Sequence, residues 1–322
     1  MEITTKKRMQ VFSGRAFPQL SQEVVDHLGM RLGDVDIHEF SDGEIYVRYR
    51  ENVRGSDVFV IQAHCDPVNT NIWEQLQMID AAKRASAKRI IAVVPYYAYA
   101  RQDKKARSRE PITAKLLADM LNVAGADRIV SVDLHTGQIQ GFSNKPFDHL
   151  TALPLLVGWL LENFPDEELV VASPDAGRVR LAEKFQSRLP HSDIAFLAKT
   201  RIGHNIAKTL AVVGDVEGKT CVLVDDMIDT AGTICGAAEA LVERGAKRVV
   251  ACATHPVLSG PACDRLRASP IERVVVTNTL PLREECRMDK IEVLSIAPII
   301  ASTMRAIFED ESVSELFDDQ NQ

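Results

Sequence analysis

No run in this 322-residue chain is long and apolar enough to cross a bilayer. The richest stretches, residues 150–164 and 291–300, are broken by Pro154 and Pro298, whereas a spanning helix needs about 20 continuous apolar residues. The first ten residues, MEITTKKRMQ, lack the apolar core of a secretory signal, so a cytoplasmic protein without a membrane partner is expected. An excess of basic charge is missing as well. A formal charge of −7 argues against a dedicated nucleic-acid binder, whose affinity rests on a cationic face that neutralises phosphates. Local basic clusters then need local reasons. The six cysteines, at 65, 221, 235, 252, 263 and 286, include no C-x-x-C pair and lie mostly inside apolar runs. They read as reduced core cysteines, not as zinc ligands or a disulfide framework.

What is present is ordinary globular material. Apolar residues make up 46% and charged residues 26% of the chain, and the length suits about two domains, each with its own core. Short apolar, often β-branched runs recur at 58–61, 90–94, 129–132, 169–172, 221–224, 249–253 and 274–277, with helical patterns at 71–87, 113–124, 179–189 and 233–244 between them. Alternation of this kind predicts α/β domains built on buried parallel sheets. Two helices close on similar joints, AGADR at 124–128 and RGAKR at 244–248, where glycine suits a left-handed cap. These joints suggest two sheets built alike, one before and one after about residue 150. The amphipathic stretch 299–308 is free to pack back on either.

Ligands of open α/β sheets bind beyond the carboxyl ends of the strands, and four such ends carry unusual chemistry. In VLVDDMIDTAGT, residues 222–233, Asp225 and Asp226 are acceptors suited to vicinal sugar hydroxyls. Asp229, Thr230, Ala231, Gly232 and Thr233 make a tight turn at a helix start, where amides and hydroxyls can surround a phosphate. An acidic turn that only caps the helix is the plainer alternative and accounts poorly for the whole string. A P-loop is excluded, because Val213 occupies the first glycine position of the GKT at 218–220, and that GKT precedes its strand.

The second end, SVDLHTGQIQGF at 131–142, places His135 directly after a strand as a metal or phosphate contact, or as ordinary structure. The third, VASPDAGRVR at 171–180, turns at Asp175 and Gly177, with a helix cap as the even alternative. The fourth, PYYAYARQDKKARSREPITAK at 95–115, gathers Arg101, Lys104, Lys105, Arg107 and Arg109 beside Tyr96, Tyr97 and Tyr99. It is either a solvated basic loop or a surface for an anionic nucleotide. Lys199 and Arg201, in AKTRIGHNIAKTLAVVG at 198–214, are surface cations or ride on a flap over a charged centre.

Taken in this order, FSDGE at 40–44, YARQD, DLHTGQIQGF, SPDAG, VLVDDMIDTAGT, ATHPVLSGPA at 253–262 and SVSELF at 312–317 resemble the ribose-phosphate pyrophosphokinases, also called phosphoribosyl pyrophosphate synthetases. The resemblance covers nearly the whole chain. It implies an α/β fold of two similar phosphoribosyltransferase-type domains, each a mainly parallel sheet flanked by helices. The first would span 1–150, joined by 304–318, and carry the ATP side and oligomer contacts; the second would span 151–303 and carry ribose 5-phosphate. The implied reaction moves the β,γ-diphosphoryl group of MgATP to the C1 hydroxyl of ribose 5-phosphate, giving 5-phosphoribosyl 1-diphosphate and AMP for nucleotide, histidine and tryptophan biosynthesis.

By the same resemblance, Lys199 and Arg201 are catalytic, and His135 and Asp175 are linked to Mg²⁺. Arg101, Gln102 and His135 would face ATP from one subunit, with Phe40, Asp42 and Glu44 reaching it from a neighbour. Asp225, Asp226, Asp229, Thr230, Ala231, Gly232 and Thr233 would hold ribose 5-phosphate. A homo-oligomer follows, typically a hexamer built from dimers, with phosphate and ADP as effectors at Arg54, Ser108, Arg109, Gln140, Asp148, Ser312, Ser314 and Phe317. Two features depart from the family pattern. Arg178 stands where many members have glycine, and either points outward or adds a cation. The segment after Arg201, Ile202, Gly203 and His204, is less basic than in many members. A base phosphoribosyltransferase is the nearest enzyme alternative, but it would not need the YARQD and DLH segments.

Overall fold

The computed structural model describes residues 7–200 and 209–314. The chain divides into two compact units, one comprising the residues up to Thr151 together with those from Ser295 onward, the other Ala152–Leu294.

The first unit is built on five parallel strands in the order β1-β4-β5-β6-β7. These are β1 (Met9–Ser13), β4 (Asp57–Ile61), β5 (Arg89–Val94), β6 (Arg128–Val132) and β7 (Phe147–Leu150). Strand β4 is buried along its whole length and β5 along all but Arg89, as expected for a sheet covered on both faces. An antiparallel hairpin, β2 (Val35–Glu39) and β3 (Ile45–Tyr49), stands as a separate two-stranded sheet. The helices are α1 (Pro18–Leu28), α2 (Val68–Arg84) and α3 (Thr113–Ala124), and from the end of the chain α8 (Ala297–Glu309).

Helix α8 packs on α1 and buries Ile300, Ala301, Met304 and Ile307. The stretch at 299–308 therefore belongs to the first unit. That unit takes up the chain at Ser295, ahead of the residue 304 expected, because the buried face of α8 is one continuous helix. Polar contacts fix both ends of the docking. Ser295 Oγ donates to Glu23 at 2.5 Å, and Asp310 pairs with Lys7 and Arg89 at 2.6 and 2.7 Å.

The second unit holds a seven-stranded sheet in the order β10-β9-β8-β11-β12-β13-β14. Its strands are β8 (Leu169–Ser173), β9 (Asp193–Thr200), β10 (Thr209–Val213), β11 (Thr220–Met227), β12 (Arg248–His255), β13 (Ile271–Thr277) and β14 (Ile291–Leu294), with helices α4 (Leu153–Asn163), α5 (Val179–Gln186), α6 (Gly232–Glu243) and α7 (Ala262–Ala268). All pairs are parallel except β9 with β10. The two glycine joints behave as expected: Gly125 ends α3 at φ 130° and Gly245 follows α6 at φ 89°, backbone angles that other residues adopt only with strain.

One expectation is corrected. Cys263 and Cys286 form a disulfide between α7 and the short turn Glu284–Cys286, with Cα atoms 5.1 Å apart. Their separation of 23 residues gives no spacing signal, and only the return of the chain through β13 brings them together. Cys65, Cys221, Cys235 and Cys252 are free.

Candidate active site

In the second unit the chain runs from β8 out to β9 and β10 on one side, then returns to place β11 on the other side of β8. Such a reversal opens a crevice beyond the carboxyl ends of the two strands at the switch point. The loop after β8 carries Asp175, and the end of β11 with the loop after it carries the 225–233 string.

Asp225 and Asp226 end β11 side by side, and the Asp226 amide donates to Asp225 Oδ1 at 2.8 Å. Burial and the neighbouring Asp226 push the Asp225 carboxyl well above the usual carboxylate range, against the pull of Arg178. Arg178 does not point outward: Nε lies 2.8 Å from Asp225 Oδ1 and Nη2 lies 2.8 Å from Asp226 Oδ1.

Beyond the pair, Asp229 accepts a hydrogen bond from Ser259 Oγ. The Thr230 carbonyl accepts from Arg265 Nη1 at 2.9 Å. Ala231 sits in the left-handed region at φ 59° as the N-cap of α6, which begins at Gly232. Gly232 and Thr233 are exposed at this helix start, where backbone N–H groups lack helical partners. The geometry suits an anion against the turn and hydroxyl donors against the acidic pair. Ser259 and Arg265 were not singled out from sequence. Ser259 lies in ATHPVLSGPA, and only the fold brings it to Asp229.

Asp175 turns the β8–α5 loop. Its Oδ1 accepts from the Gly177 amide at 2.8 Å, while its carbonyl accepts from Ser173 Oγ at 2.6 Å. Lys199 lies on β9 in register with Leu210 of β10. Arg201 is outside the described residues.

In the first unit the basic loop follows β5 and the DLH loop follows β6, and these strands are neighbours. Asp103, buried to 7% exposure, ties the two loops together by accepting from Thr136 Oγ1 at 2.9 Å and from Gln138 Nε2 at 3.0 Å. It was overlooked in the sequence because a lone Asp among cations reads as charge balance. Gln102 accepts from Thr113 Oγ1 at 2.5 Å, Arg101 is exposed, and His135 is half-buried. Phe40 is 49% exposed in the turn between β2 and β3, which is closed by Phe40 N to Glu44 O at 2.8 Å and by Glu44 N to Asp42 Oδ1 at 3.1 Å.

Of the expected effector residues, Arg54, Ser108, Arg109, Ser312 and Ser314 are exposed. Gln140 donates to the Gly137 carbonyl at 3.1 Å. Asp148 is engaged by Arg128 Nη1 at 2.7 and 2.8 Å, and burial nevertheless raises its pKa. Phe317 is outside the described residues. Among the described residues no three His, Cys, Asp or Glu side chains form a metal cage, and no helix is long and apolar enough to cross a membrane.

The class so defined is that of α/β proteins whose largely parallel sheet has a topological switch point. Residues 9–125 match the N-terminal domain of ribose phosphate pyrophosphokinase, and residues 183–318 match the phosphoribosyl synthetase-associated domain. The chain is 55% identical to the ribose-phosphate pyrophosphokinase of Mycobacterium leprae, over 97% of this chain and 96% of that one. It is 51% identical to that of Clostridium acetobutylicum, over 99% and 100%. The crystal structure of phosphoribosylpyrophosphate synthetase from Mycobacterium smegmatis superposes with a TM-score of 0.91 at 54% identity, covering 94% of this chain and all of that one. The chain belongs to the ribose-phosphate pyrophosphokinase family.

Proposed function

We infer that this enzyme transfers the β,γ-diphosphoryl group of ATP to the C1 hydroxyl of ribose 5-phosphate, forming 5-phosphoribosyl 1-diphosphate and AMP. The observation that carries the choice is the Asp103 tie between the YARQD and DLH loops, an elaborated strand-end pair in the first unit. A base phosphoribosyltransferase, using only the 225–233 turn, has no need of it.

In this reading Asp225 and Asp226 accept the vicinal hydroxyls of the sugar, and Asp229, Thr230, Ala231, Gly232 and Thr233 enclose its 5-phosphate. Arg101, Gln102 and His135 bind ATP, with Phe40, Asp42 and Glu44 serving the ATP of a neighbouring subunit. The sugar O1 gives up its proton to water and forms a bond to the β-phosphorus while the bond from that phosphorus to the bridging oxygen of AMP breaks. Charge gathers on the phosphoryl oxygens, so catalysis is mainly positioning and electrostatic stabilisation. Lys199 and Arg201 supply the cations.

Mg²⁺ is held in proteins by one or two carboxylates with waters and substrate phosphates completing the shell. The half-buried Asp175 carboxylate fits such a role without a protein cage, and His135 is the second residue assigned to it. When bound, the ion would neutralise phosphate charge. The same reading gives a homo-oligomer, a hexamer, with phosphate and ADP as effectors at Arg54, Ser108, Arg109, Gln140, Asp148, Ser312, Ser314 and Phe317.

Incubated with Mg²⁺, ATP and ribose 5-phosphate, the purified protein is expected to release AMP and 5-phosphoribosyl 1-diphosphate in equal amounts. ADP as the sole nucleotide product, resolved by chromatography, would refute diphosphoryl transfer.

A further inference from the structure

Two carboxylates leaving one strand repel each other, and burial strengthens the repulsion by removing water. In this chain the compensation comes from the loop across the switch point. Arg178, the N-cap of α5, turns its guanidinium onto the end of β11 and takes one oxygen from each carboxylate, Asp225 Oδ1 and Asp226 Oδ1, both at 2.8 Å. The three side chains are 18%, 17% and 7% exposed, so the triad is largely withdrawn from solvent. A planar guanidinium presents donors in a fixed fork; a lysine ammonium is a point charge on a flexible stem and cannot reproduce that spacing.

We propose that Arg178 is a positioning residue for the sugar-binding carboxylates, holding Asp225 and Asp226 in the one mutual arrangement that accepts both hydroxyls of a vicinal diol. This rests on the assignment of the acidic pair to ribose 5-phosphate. A diol donates from two adjacent carbons, so its recognition requires two acceptors fixed relative to each other, and preorganising them reduces the ordering lost on binding. Two consequences follow. Arg178 acts on sugar affinity in the ground state, hence on KM more than on kcat. It also sharpens discrimination against a sugar lacking one hydroxyl, because a fixed pair leaves an acceptor unmatched where a loosened pair can readjust. A guanidinium that merely plugged the pocket would have the opposite sign, since its removal would tighten binding.

The test is calorimetric titration of full-length wild type, Arg178→Ala and Arg178→Lys with ribose 5-phosphate and with 2-deoxyribose 5-phosphate, paired with steady-state kinetics. Arg178→Ala is expected to weaken ribose 5-phosphate binding about tenfold and the deoxy sugar clearly less, narrowing the ratio between them, with kcat within about threefold of wild type. Arg178→Lys restores charge but not the fork and stays closer to Ala than to wild type; it also serves if the alanine variant does not fold. Unchanged or tighter binding in the variants would overturn the proposal. So would equal loss for both sugars, or a fall in kcat without change in KM. Absence of ribose 5-phosphate binding by the wild type would instead remove the sugar assignment itself, and the proposal with it.

Discussion

At the scale of single residues, this fold keeps several ionisable groups where water cannot reach them. His64, just beyond β4, is fully buried. Its Nε2 lies 2.9 Å from Gln75 Oε1, and its Nδ1 has no hydrogen-bond partner among the described residues. Burial pushes its pKa down from 6.5 to about 4. The unfolded chain therefore takes up a proton near pH 6.5 that the folded chain refuses until about pH 4. The contribution is neutral above that window, and stability is lost progressively as the pH falls through it. At pH 5 the loss from this one group is about 2 kcal/mol. Denaturant unfolding of wild type and His64→Gln at pH 7.5 and pH 5 should show a pH-dependent difference smaller in the variant by that amount. Identical pH dependence in the two proteins would contradict a neutral buried imidazole. His64 had no signature in the sequence, since a lone histidine after an apolar run looks the same whether it is buried or exposed. Arg178 was ambiguous for a related reason. Its direction depends on β8 and β11 being neighbours, which the order of the chain does not reveal.

At the scale of elements, the legible parts were those whose burial is uniform. Strands β4, β5, β6, β8, β11, β12 and β13 stood out because their apolar runs are buried along nearly their whole length. Helix α3 was bounded correctly at 113–124 because Gly125 stops it. What was missed is mixed in character. The β2–β3 hairpin carries polar residues on half-exposed strands, and β14 is only partly covered. Edge strand β10 runs antiparallel to β9, outside the strand–helix alternation that exposed the rest. Among the loops, charge clustering and strand-end position marked the basic segment after β5 and the DLH segment after β6, but not the bond between them. Asp103→Ala breaks that bond, leaving the hydroxyl of Thr136 and the amide of Gln138 without their acceptor. Loss of such charge-assisted bonds costs about 1–3 kcal/mol of local order. KM for ATP is therefore expected to rise about tenfold, with KM for ribose 5-phosphate within about twofold of wild type. Asp103→Asn, which keeps an acceptor oxygen, should fall between. Equal rises in both constants would show that the tie serves overall folding and not the nucleotide side.

At the scale of the whole molecule, the chain is a nested pair: the second unit is continuous in sequence, while the first is interrupted by it and completed by α8. One core cluster of the second unit, from Val170 to Cys286, is drawn from its own segment. The first unit instead depends on residues that follow the second unit in the chain. Helix α8 supplies Ile300, Ala301, Met304 and Ile307, and α1 buries Leu20, Val24 and Val25. Burying one large aliphatic side chain contributes about 1.5–3 kcal/mol, so removing this helix withdraws an amount comparable with the 5–15 kcal/mol that holds a typical domain together. The Lys7 and Arg89 pairs to Asp310 and the Ser295 bond to Glu23 would be lost with it. A chain ended at Leu294 should therefore lose the cooperative unfolding of the first unit, and its ATP binding, while the second unit keeps ribose 5-phosphate affinity within about threefold. Calorimetry would show one transition in place of the wild-type pattern, and limited proteolysis would leave a protected fragment beginning near residue 152. A truncated chain that retains nucleotide binding would mean that the first sheet is stable without its C-terminal helix. One that loses both ligands would mean that the second unit is not self-sufficient despite being one continuous stretch of chain.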